Sequence, residues 1–469
     1  MKGSAPKRAR HSKHTGTPHT TMANQIDMLH GPLIRRILLF ALPLAATSTL
    51  QQLFSSADVA IIGRFAGSVP LAAVGSNAPI INLTINMFIG LSIGANVVIA
   101  NYIGQGRNDR VADAVHTTVL LAIIGGIFVG ILGICIARPM LILVDSPDNV
   151  IDLATAYLRI FFCGMPFMMV YNYGSAILRS KGDTRRPLLI LLGSGVIKVG
   201  LSLTFVVLLG LSVRGVALAT VIANMLNSGA IIYLLLHEEG AFKLYPKRLR
   251  ISKENLLRIL KIGVPAGVQG MVFSFSNVCI QAAVNSFGSD CIAGTSASLN
   301  FDYFCYFLLS AFSQTAVTFT SQNYGAQNVD RMKRIWKDCM LLGMGSMFVA
   351  NITFVLLRSY VVLAFTTDPN VISWALTRMV IVLSFQWIAC SYEISGQCLR
   401  GMGHSLLPAL FSILGSCVLR IVWLFTVFVW YGSYESLMIV YPVTWTVTGI
   451  ATLIAYFIIR KKEFVRILR

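Results

Sequence analysis

The chain has 469 residues, of which 55% are hydrophobic and only 12% are charged, and its mean hydropathy is +0.72. Soluble domains carry about twice that share of charged residues, so the composition excludes a soluble globular protein and indicates a polytopic membrane protein. The net charge of +19 would suggest a nucleic-acid partner for a soluble protein, but the distribution of the charges along this chain excludes that interpretation.

Twelve apolar runs are each long enough to cross about 30 Å of hydrocarbon as a helix, which takes roughly 20 residues. No alternating pattern of short strands accompanies them, so we predict an all-α polytopic membrane protein with twelve transmembrane helices. In chain order the predicted spans are 34–57, 72–100, 117–137, 155–178, 188–211, 213–236, 256–286, 292–321, 340–365, 372–398, 407–431 and 437–459.

Basic residues lie mostly on one side of these spans. With both termini placed inside, the cytoplasmic segments hold 30 of the 38 Lys and Arg residues. Six are left outside: Arg64, Arg138, Arg159, Arg214, Arg358 and Arg378. This asymmetry follows the positive-inside rule and predicts a multi-pass protein of the cytoplasmic membrane with both termini in the cytoplasm. The basic excess therefore reflects topology, with a weak added attraction to anionic membrane lipid.

The strongest organisational signal is an internal repeat with a period of 221 residues. The stretch LRSKGDTRRP at 178–187 matches LRGMGHSLLP at 399–408, and 104–110 matches 325–331. Each half contains six spans, an even number, so the two copies are parallel and the substrate route is expected between them.

The repeat divides the chain into two six-helix lobes with polar, basic segments around them. We predict a disordered cytoplasmic tail at 1–31, the N-terminal lobe at 32–237, a cytoplasmic linker at 238–255, the C-terminal lobe at 256–460 and a basic cytoplasmic tail at 461–469.

The types of residue that carry enzymatic or metal chemistry do not cluster. The nine cysteines are scattered without a CxxC pair, and all seven histidines lie in the tail, in loops or at span ends. We therefore predict no disulfide framework, no metal site, no catalytic residues and no cofactor, and we do not expect an enzyme.

Five charged residues interrupt the predicted spans, and such residues usually face a protein interior or a wet cavity. They are Asp58, Lys198, Asp302, Glu393 and Arg420, and we take all five as candidates for ion coupling. Asp58 is the foremost because the second half has no copy of it. A carboxylate held between burial and a nearby cation can bind and release a proton or a sodium ion.

Depth in the membrane follows from a rise of about 1.5 Å per helical residue. On that basis Asp302 and Arg420 both lie near mid-membrane and are placed to pair, either structurally or in coupling. Asp58 lies 22 residues beyond Arg36, roughly 33 Å along a straight helix, which argues against a tight pair with Lys198 near mid-depth. Glu393 lies near the inner end of its span, where we expect it mainly to stabilise that end.

Aromatic side chains are abundant in the spans, and those that line a cavity suit a flat, apolar, often cationic ligand. The expected substrate-binding residues are Gln51, Tyr171, Phe273 and Asn277. Asn277 is the polar residue nearest to the position where the second half would repeat Asp58.

Several stretches together resemble the multidrug and toxic compound extrusion (MATE) family of bacterial secondary transporters. They are GPLIRRILLFALPL at 31–44, SADVAIIGRFAGSVPLAAVG at 56–75, the two loops LRSKGDTRRP and LRGMGHSLLP, and FTSQNYGAQNVDRM at 319–332. The resemblance covers roughly residue 31 to the end. It implies two six-helix lobes around a central cavity, alternating access, and export of organic cations or drugs in exchange for protons or sodium.

The resemblance also bears on individual residues. Asp58 matches the family's acid in the first helix, a proposed ion-coupling position, and the family geometry brings Lys198 close to it; we follow that geometry over the depth estimate. Where many members have Asn and, four residues on, Asp, this chain has Lys198 and Ser202, which disfavours sodium in the first lobe and favours protons. Asp302 and Glu393 resemble acids of a subgroup and are expected to form a second-lobe proton site with Arg420.

Two other functions remain as alternatives, and we expect a monomer in each case. A lipid-linked precursor flippase of the same superfamily would need a cavity rich in Lys and Arg, whereas only Lys198 and Arg420 are predicted to be buried. An intramembrane enzyme would need a constellation of His, Ser and acid that the spans lack.

Overall fold

The structure, a computed structural model, describes residues 25–143 and 147–469, and those residues form helices and connecting loops without strands. In that part of the chain, nine helices are long and apolar enough to cross a membrane, and two bent helix pairs bring the number to eleven. A further helix, Ser289–Gly325, occupies the place of the eighth predicted span and is 37 residues long, although it is more polar. The all-helical prediction is confirmed.

We number these long elements α1 to α12. The first six are α1 Leu33–Phe65, α2 Ser68–Gly104, α3 Asn108–Leu143, α4 with its two segments Asp148–Cys163 and Met165–Lys181, α5 Arg185–Leu203 continued by the wide turns Thr204–Leu208, and α6 Ser212–His237. The second six are α7 Lys253–Asn285, α8 Ser289–Gly325, α9 Val329–Leu356, α10 with segments Pro369–Arg378, Met379–Leu383, Ser384–Gln386 and Ala389–Gly401, α11 with segments Leu406–Ser412, Ile413–Val418, Leu419–Phe425 and Val427–Tyr431, and α12 Tyr434–Leu468.

The backbone repeats with the sequence. Helices α1 and α7 each have 33 residues, and α2 and α8 each have 37. Gly67 and Gly288, which join these pairs, have φ angles of 96° and 93°, in the left-handed region that favours glycine. The fourth helix of each half is bent, by 47° in α4 and 42° in α10. The predicted parallel repeat is confirmed.

Each half has its own apolar core, but the first helix of each half contributes to both. Ile61 and Ile62, in the C-terminal part of α1, lie in the core of the first half, whereas Ile37 and Phe40, in its N-terminal part, lie in the core of the second half. The ring of Phe40 lies 5.4 Å from that of Phe319 on α8. Helix α7 mirrors this arrangement, because Ile259 lies in the core of the first half.

Glycines bring α2 and α7 into backbone contact near the end of α2 and the start of α7. A Cβ atom added at Gly90 would lie 2.3 Å from the backbone nitrogen of Gly267, and one at Gly94 would lie 2.9 Å from that of Gly263. Small residues at this spacing allow membrane helices to approach closely. The two halves are therefore closed against one another at this end of the molecule, which we predict to face the cytoplasm.

We expect the Gly90→Ala variant to melt at a lower temperature than the wild type. The added methyl group meets the backbone of Gly267, which cannot move aside, and such overpacking costs about 1–3 kcal/mol. Gly75→Ala is the matched control on the same helix, because open space surrounds Gly75. The measurement is thermal unfolding in detergent; equal melting temperatures for the two variants would contradict this account of the contact.

A short segment before α1 connects the two halves at the same end of the molecule. The amide of Ile26 donates to the carbonyl of Gly182, in the loop between α4 and α5, at 3.1 Å. Arg331 at the start of α9 donates to the carbonyls of Met28, His30 and Gly31 at 2.8–3.1 Å. The sequence predicted a disordered tail through residue 31; residues 1–24 of it lie outside the described residues, and residues 26–31 make these contacts.

The linker between the halves is held against the first half. Glu238 is buried and forms ion pairs with Lys181 at 2.6 Å and Arg186 at 2.5 Å. Burial alone would raise the pKa of Glu238, but its hydrogen bonds and ion pairs with these two cations outweigh burial and lower the pKa. The ion pairs of Glu238 therefore contribute their full stability above the ordinary pKa of Glu. That stability is lost only as the pH falls through the lowered pKa.

Candidate functional site

Asp58 and Lys198 form a buried ion pair between α1 and α5. The Nζ atom of Lys198 lies 2.6 Å from Oδ2 of Asp58, and the hydroxyl of Ser202 donates to Oδ1 at 3.1 Å. Lys198 and Ser202 are four residues apart and so lie on one face of α5. Both oxygens of the buried carboxylate are thus engaged by α5, and the expected proximity of Asp58 and Lys198 is observed.

Local sequence explains how the two helices reach one another. Asp58 shares a buried face with Ile61 and Ile62, three and four residues on, and this face points into the first half. On α5, Gly195 lies beneath the ring of Phe54, where an added Cβ would be 1.8 Å from a ring carbon. Because residue 195 is a glycine and has no side chain, α1 can approach α5 closely enough for an ion pair.

The depth estimate that argued against this pair was wrong. It counted the rise of a straight helix from Arg36 as though that residue marked the membrane surface. Helix α1 has 33 residues, more than the roughly 20 that cross the hydrocarbon, so a residue count from Arg36 does not give the depth of Asp58. The ion pair places Asp58 beside Lys198.

Arg420 occupies the corresponding place in the second half. Its Nη1 donates to the side-chain oxygen of Asn277 on α7 at 3.1 Å, and its guanidinium lies over the rings of Tyr441 and Phe273, at 4.6 and 5.1 Å from the ring centres. The wide turn Ile413–Val418 accommodates one extra residue, which is why Arg420 follows Lys198 by 222 rather than 221 positions. An amide thus takes the place that Asp58 has in the first half.

The prediction that Asp302 pairs with Arg420 is wrong. Asp302 pairs with Arg378 on α10 at 2.6 Å, and Arg378 also donates to the hydroxyl of Ser298 at 2.8 Å. Both charged residues are buried, with exposed fractions of 8% and 2%. Arg378 was assigned to the outer surface because it lies near the end of an apolar run, but α10 directs it inward.

A signal for Arg378 was present in the sequence. Val371, Ala375, Arg378 and Val382 are all buried and recur at helical spacing on α10. A cation within such a stripe faces the core of the bundle rather than water, and a buried cation requires an acid or another acceptor nearby. The spacing could therefore have shown that Asp302 had a candidate partner on α10.

Glu393 and Arg400 line a cavity of about 120 Å³ between the two halves. The walls come from α2 in the first half and from α7, α8 and α10 in the second. Arg400 is only 3% exposed and donates to the side-chain oxygen of Gln269. The sequence placed Arg400 in a cytoplasmic loop and predicted burial of Lys198 and Arg420 alone; that prediction is wrong, because Arg378 and Arg400 are buried as well.

The four predicted substrate-binding residues lie in different surroundings. Gln51 is exposed on α1, whereas Phe273 and Asn277 lie beside Arg420 on α7. Tyr171 is buried in the core of the first half, and its hydroxyl donates to the carbonyl of Pro187 at 3.2 Å. In the described ranges no group of three or more His, Cys, Asp or Glu side chains is arranged to hold a metal ion.

The two ends of the molecule differ. Beyond the glycine contacts, toward Gly67 and Gly288, side chains such as Gln51 and Ser55 on α1 and Phe275 and Asn277 on α7 are exposed. The halves are therefore in contact at the end that carries residues 25–31, and polar and aromatic side chains are exposed toward the other end.

Sequence and structure comparisons agree with this architecture. The MatE family profile matches residues 43–204 and 265–426, one match in each half. The chain is 27% identical to the probable multidrug resistance protein YoeA of Bacillus subtilis, over 81% of this chain and 83% of that protein. It is 24% identical to a FAD transporter of Shewanella oneidensis, over 92% and 96% of the two chains.

A solved structure has the same fold. It is described as the outward-facing conformation of a multidrug resistance MATE family transporter of the MOP superfamily. The TM-score is 0.87 over 94% of this chain and 98% of that chain, with 19% sequence identity. At that identity the likeness shows the fold of the two six-helix halves.

Proposed function

The chain belongs to the MatE family of membrane transporters, which are not enzymes, and from that premise we propose that it is a secondary antiporter driven by inward proton flow. Relatives are named as multidrug resistance and multidrug export proteins, which supports export of small organic molecules. The observation that carries the coupling proposal is the buried pair of Asp58 and Lys198, which joins α1 to α5 at 2.6 Å.

A proton on Asp58 would cancel the charge that holds Lys198. The pair would then lose its attraction, and the buried ammonium would be left without a counter-charge. Helix α1 contacts both halves and contains Pro43, which removes one hydrogen bond within the helix and allows bending there. Protonation at Asp58 therefore acts on an element that connects the two lobes, which is what alternating access requires.

The driving force available is adequate for this cycle. Each proton supplies about 1.4 kcal/mol per pH unit. The membrane potential adds about 2.3 kcal/mol per 100 mV for each charge moved. A proton or a substrate can shift the equilibrium between two access states only by its difference in affinity for them.

Protons suit this site better than sodium. The ammonium of Lys198 and the hydroxyl of Ser202 already occupy the two carboxylate oxygens of Asp58. A sodium ion would have to displace the ammonium and would meet its positive charge. A proton needs no coordination shell and can bind the carboxylate directly.

The substrates we propose are aromatic organic molecules that carry a cationic group. Exposed aromatic side chains, including Phe275 at 55% and Tyr306 at 40%, lie on α7 and α8, and Glu393 lines the cavity between the halves. Aromatic faces and a carboxylate together suit such cations. A relative named as a FAD transporter widens the range of candidates to other flat aromatic compounds.

A flippase for lipid-linked precursors is not favoured. A pyrophosphate would need several cations that are free to bind it in one cavity. Arg378 is instead paired with Asp302 and Lys198 with Asp58, and Arg400 shares its cavity with Glu393. We propose the cytoplasmic membrane as the location, with both termini inside and the protein acting as a monomer, because the basic residues concentrate in the loops on one side.

The direct test uses wild-type protein in inside-out proteoliposomes and a fluorescent organic cation. An imposed pH gradient, acidic inside, is expected to drive uptake, and an imposed sodium gradient without a pH gradient is not. Uptake that follows the sodium gradient alone would overturn proton coupling, and no uptake of any organic cation would overturn the proposed substrate class.

The segment at 26–31 is expected to stabilise the closed cytoplasmic side. Arg331→Gln removes the charged hydrogen bonds to its carbonyls, each worth about 1.5–3 kcal/mol. We expect faster amide hydrogen exchange in residues 26–31 of this variant and more of the state that is open to the cytoplasm. Lys333→Gln is the matched control, since Lys333 bonds only to Asp330 on the surface. Equal exchange in the two variants would exclude this role.

A further inference from the structure

We propose that the cavity between the halves binds a zwitterionic group of the transported molecule, with its anionic part at Arg400 and its cationic part at Glu393. This inference rests on the proposed function and specifies the substrate class. The cavity is bounded by α2 of the first half and by α7, α8 and α10 of the second. Its volume of about 120 Å³ holds the charged part of a ligand, and the rest of an aromatic molecule would extend beyond the cavity.

Three buried polar side chains of the cavity have atoms without a hydrogen-bond partner in the described part of the chain. These atoms are Nε of Arg400, Oε1 of Gln397 and Oγ of Ser313, on side chains that are 3%, 6% and 4% exposed. Buried polar groups are nearly always hydrogen-bonded, because leaving one without a partner is costly. A ligand with both donors and acceptors would satisfy all three.

Arg400 is available to an anion. Its Nη2 is bonded to the neutral amide of Gln269 and not to a carboxylate, so its charge is not cancelled by a direct partner. A guanidinium binds a carboxylate or a phosphate through two parallel hydrogen bonds, and Nε is one of the donors that such a pair uses. The unpartnered Nε therefore specifies an anionic group.

Glu393 offers the opposite charge on the same face of α10. Glu393, Gln397 and Arg400 follow one another at spacings of four and three residues, so all three line the cavity, with about 10 Å of rise between the two charged residues. None of the ion pairs among the described residues includes Glu393. A ligand bearing only one charge would leave the other residue without a partner, whereas a zwitterion satisfies both.

The site exists only while the cytoplasmic side is closed. Asn86 of α2 also lines the cavity, and its amide donates to the hydroxyl of Ser274 on α7 at 2.8 Å, across the contact between the halves. Separation of α2 from α7 would remove one wall. A zwitterionic substrate would therefore bind this state more tightly, and that difference in affinity is what allows a substrate to shift the equilibrium.

The test compares three xanthene dyes of nearly equal size by fluorescence polarisation with purified protein. The diaminoxanthene with a free carboxylic acid is a zwitterion, its methyl ester is a cation only, and fluorescein is an anion only. We expect the wild type to bind the zwitterion about tenfold or more tightly than the other two. Equal affinity for the zwitterion and its ester would overturn the inference.

Substitutions test which residue binds each charged group of the ligand. Arg400→Gln is expected to bring the affinity for the zwitterion down to that for the ester, and Glu393→Gln to bring it down to that for fluorescein. Arg179→Gln is the matched control, because Arg179 lies 221 residues before Arg400 in the other half and does not line this cavity. A uniform loss of affinity for all dyes in Arg400→Gln would contradict the assignment, as would loss of the preference in Arg179→Gln.

Because Arg400 is buried, Arg400→Lys provides a second variant that keeps the charge, and it is expected to retain part of the preference. Binding and transport are read separately. A pH-driven uptake of the ester together with no preference in binding would sink this inference and leave the proposed function standing. A clear preference in binding with no pH-driven uptake of any dye would support this inference and overturn the proposed function.

Discussion

Asp58→Asn is expected to abolish pH-driven uptake, reducing accumulation by about tenfold or more, to the level seen without a gradient. The asparagine side chain cannot take up a proton, so the pH gradient no longer has a group on α1 through which to act. The variant also leaves Lys198 buried without its counter-charge, and removing one partner of a buried pair costs about 3–5 kcal/mol. Loss of uptake must therefore be separated from loss of folding.

The double variant Asp58→Asn, Lys198→Met makes that separation. It removes both charges, so its melting temperature should recover most of the loss, while pH-driven uptake stays absent. Ser202→Ala is the mild control, because it deletes only one neutral donor to Asp58, worth about 1 kcal/mol, and should retain coupling. Uptake by the double variant that still follows the pH gradient would rule out Asp58 as the coupling residue.

Asp302→Asn is expected to give the largest loss of stability, about 3–5 kcal/mol. The substitution leaves Arg378, which is 2% exposed, without the carboxylate that balances its charge. Thermal unfolding in detergent should show a clear drop in melting temperature, and the double variant Asp302→Asn, Arg378→Met should regain most of it.

The same double variant distinguishes a structural pair from a coupling site. Asp302 and Arg378 hold α8 against α10 within one half, so we expect the stable double variant to keep most of its pH-driven uptake. A double variant that folds normally but no longer responds to pH would show that Asp302 carries a coupling proton. In that case the coupling assignment would move from the first lobe to the second.

Much of the fold could be predicted because the physics of the bilayer acts on local sequence. Long apolar runs predict helices, and basic loops predict their direction. The repeated loops LRSKGD and LRGMGH predict the duplication, and their glycines Gly182 and Gly403 have φ angles of 100° and 89° in the structure. The choice of Asp58 as a candidate followed in the same way, since an acid within an apolar run is costly wherever that run lies.

The partners of the charged residues could not be predicted from position along the chain. Arg378 lies close to the end of an apolar run, and counting from the membrane surface placed it outside. Arg400 lies in the last turn of α10, two residues beyond the predicted end of its apolar run, and the same count placed it in the cytoplasm. Both errors arise because helix ends do not all lie at one level and because a long side chain can turn inward.

The packing of one half against the other could not be predicted from the sequence either. The N-terminal part of α1 lies in the core of the second half, through residues such as Phe40, and that of α7 lies in the core of the first. Neither contact is local in sequence. The contact between Gly90 and Gly267 likewise depends on the whole arrangement of the two lobes.

The measurement that tests proton antiport most directly records substrate and proton movement in the same proteoliposomes. A substrate gradient is imposed with no pH gradient and no membrane potential, and the internal pH is followed with a trapped dye. Outflow of substrate should draw protons inward and acidify the interior in wild-type vesicles, but not in Asp58→Asn vesicles. Substrate that crosses the membrane with no change in internal pH would contradict the claim that transport is coupled to protons.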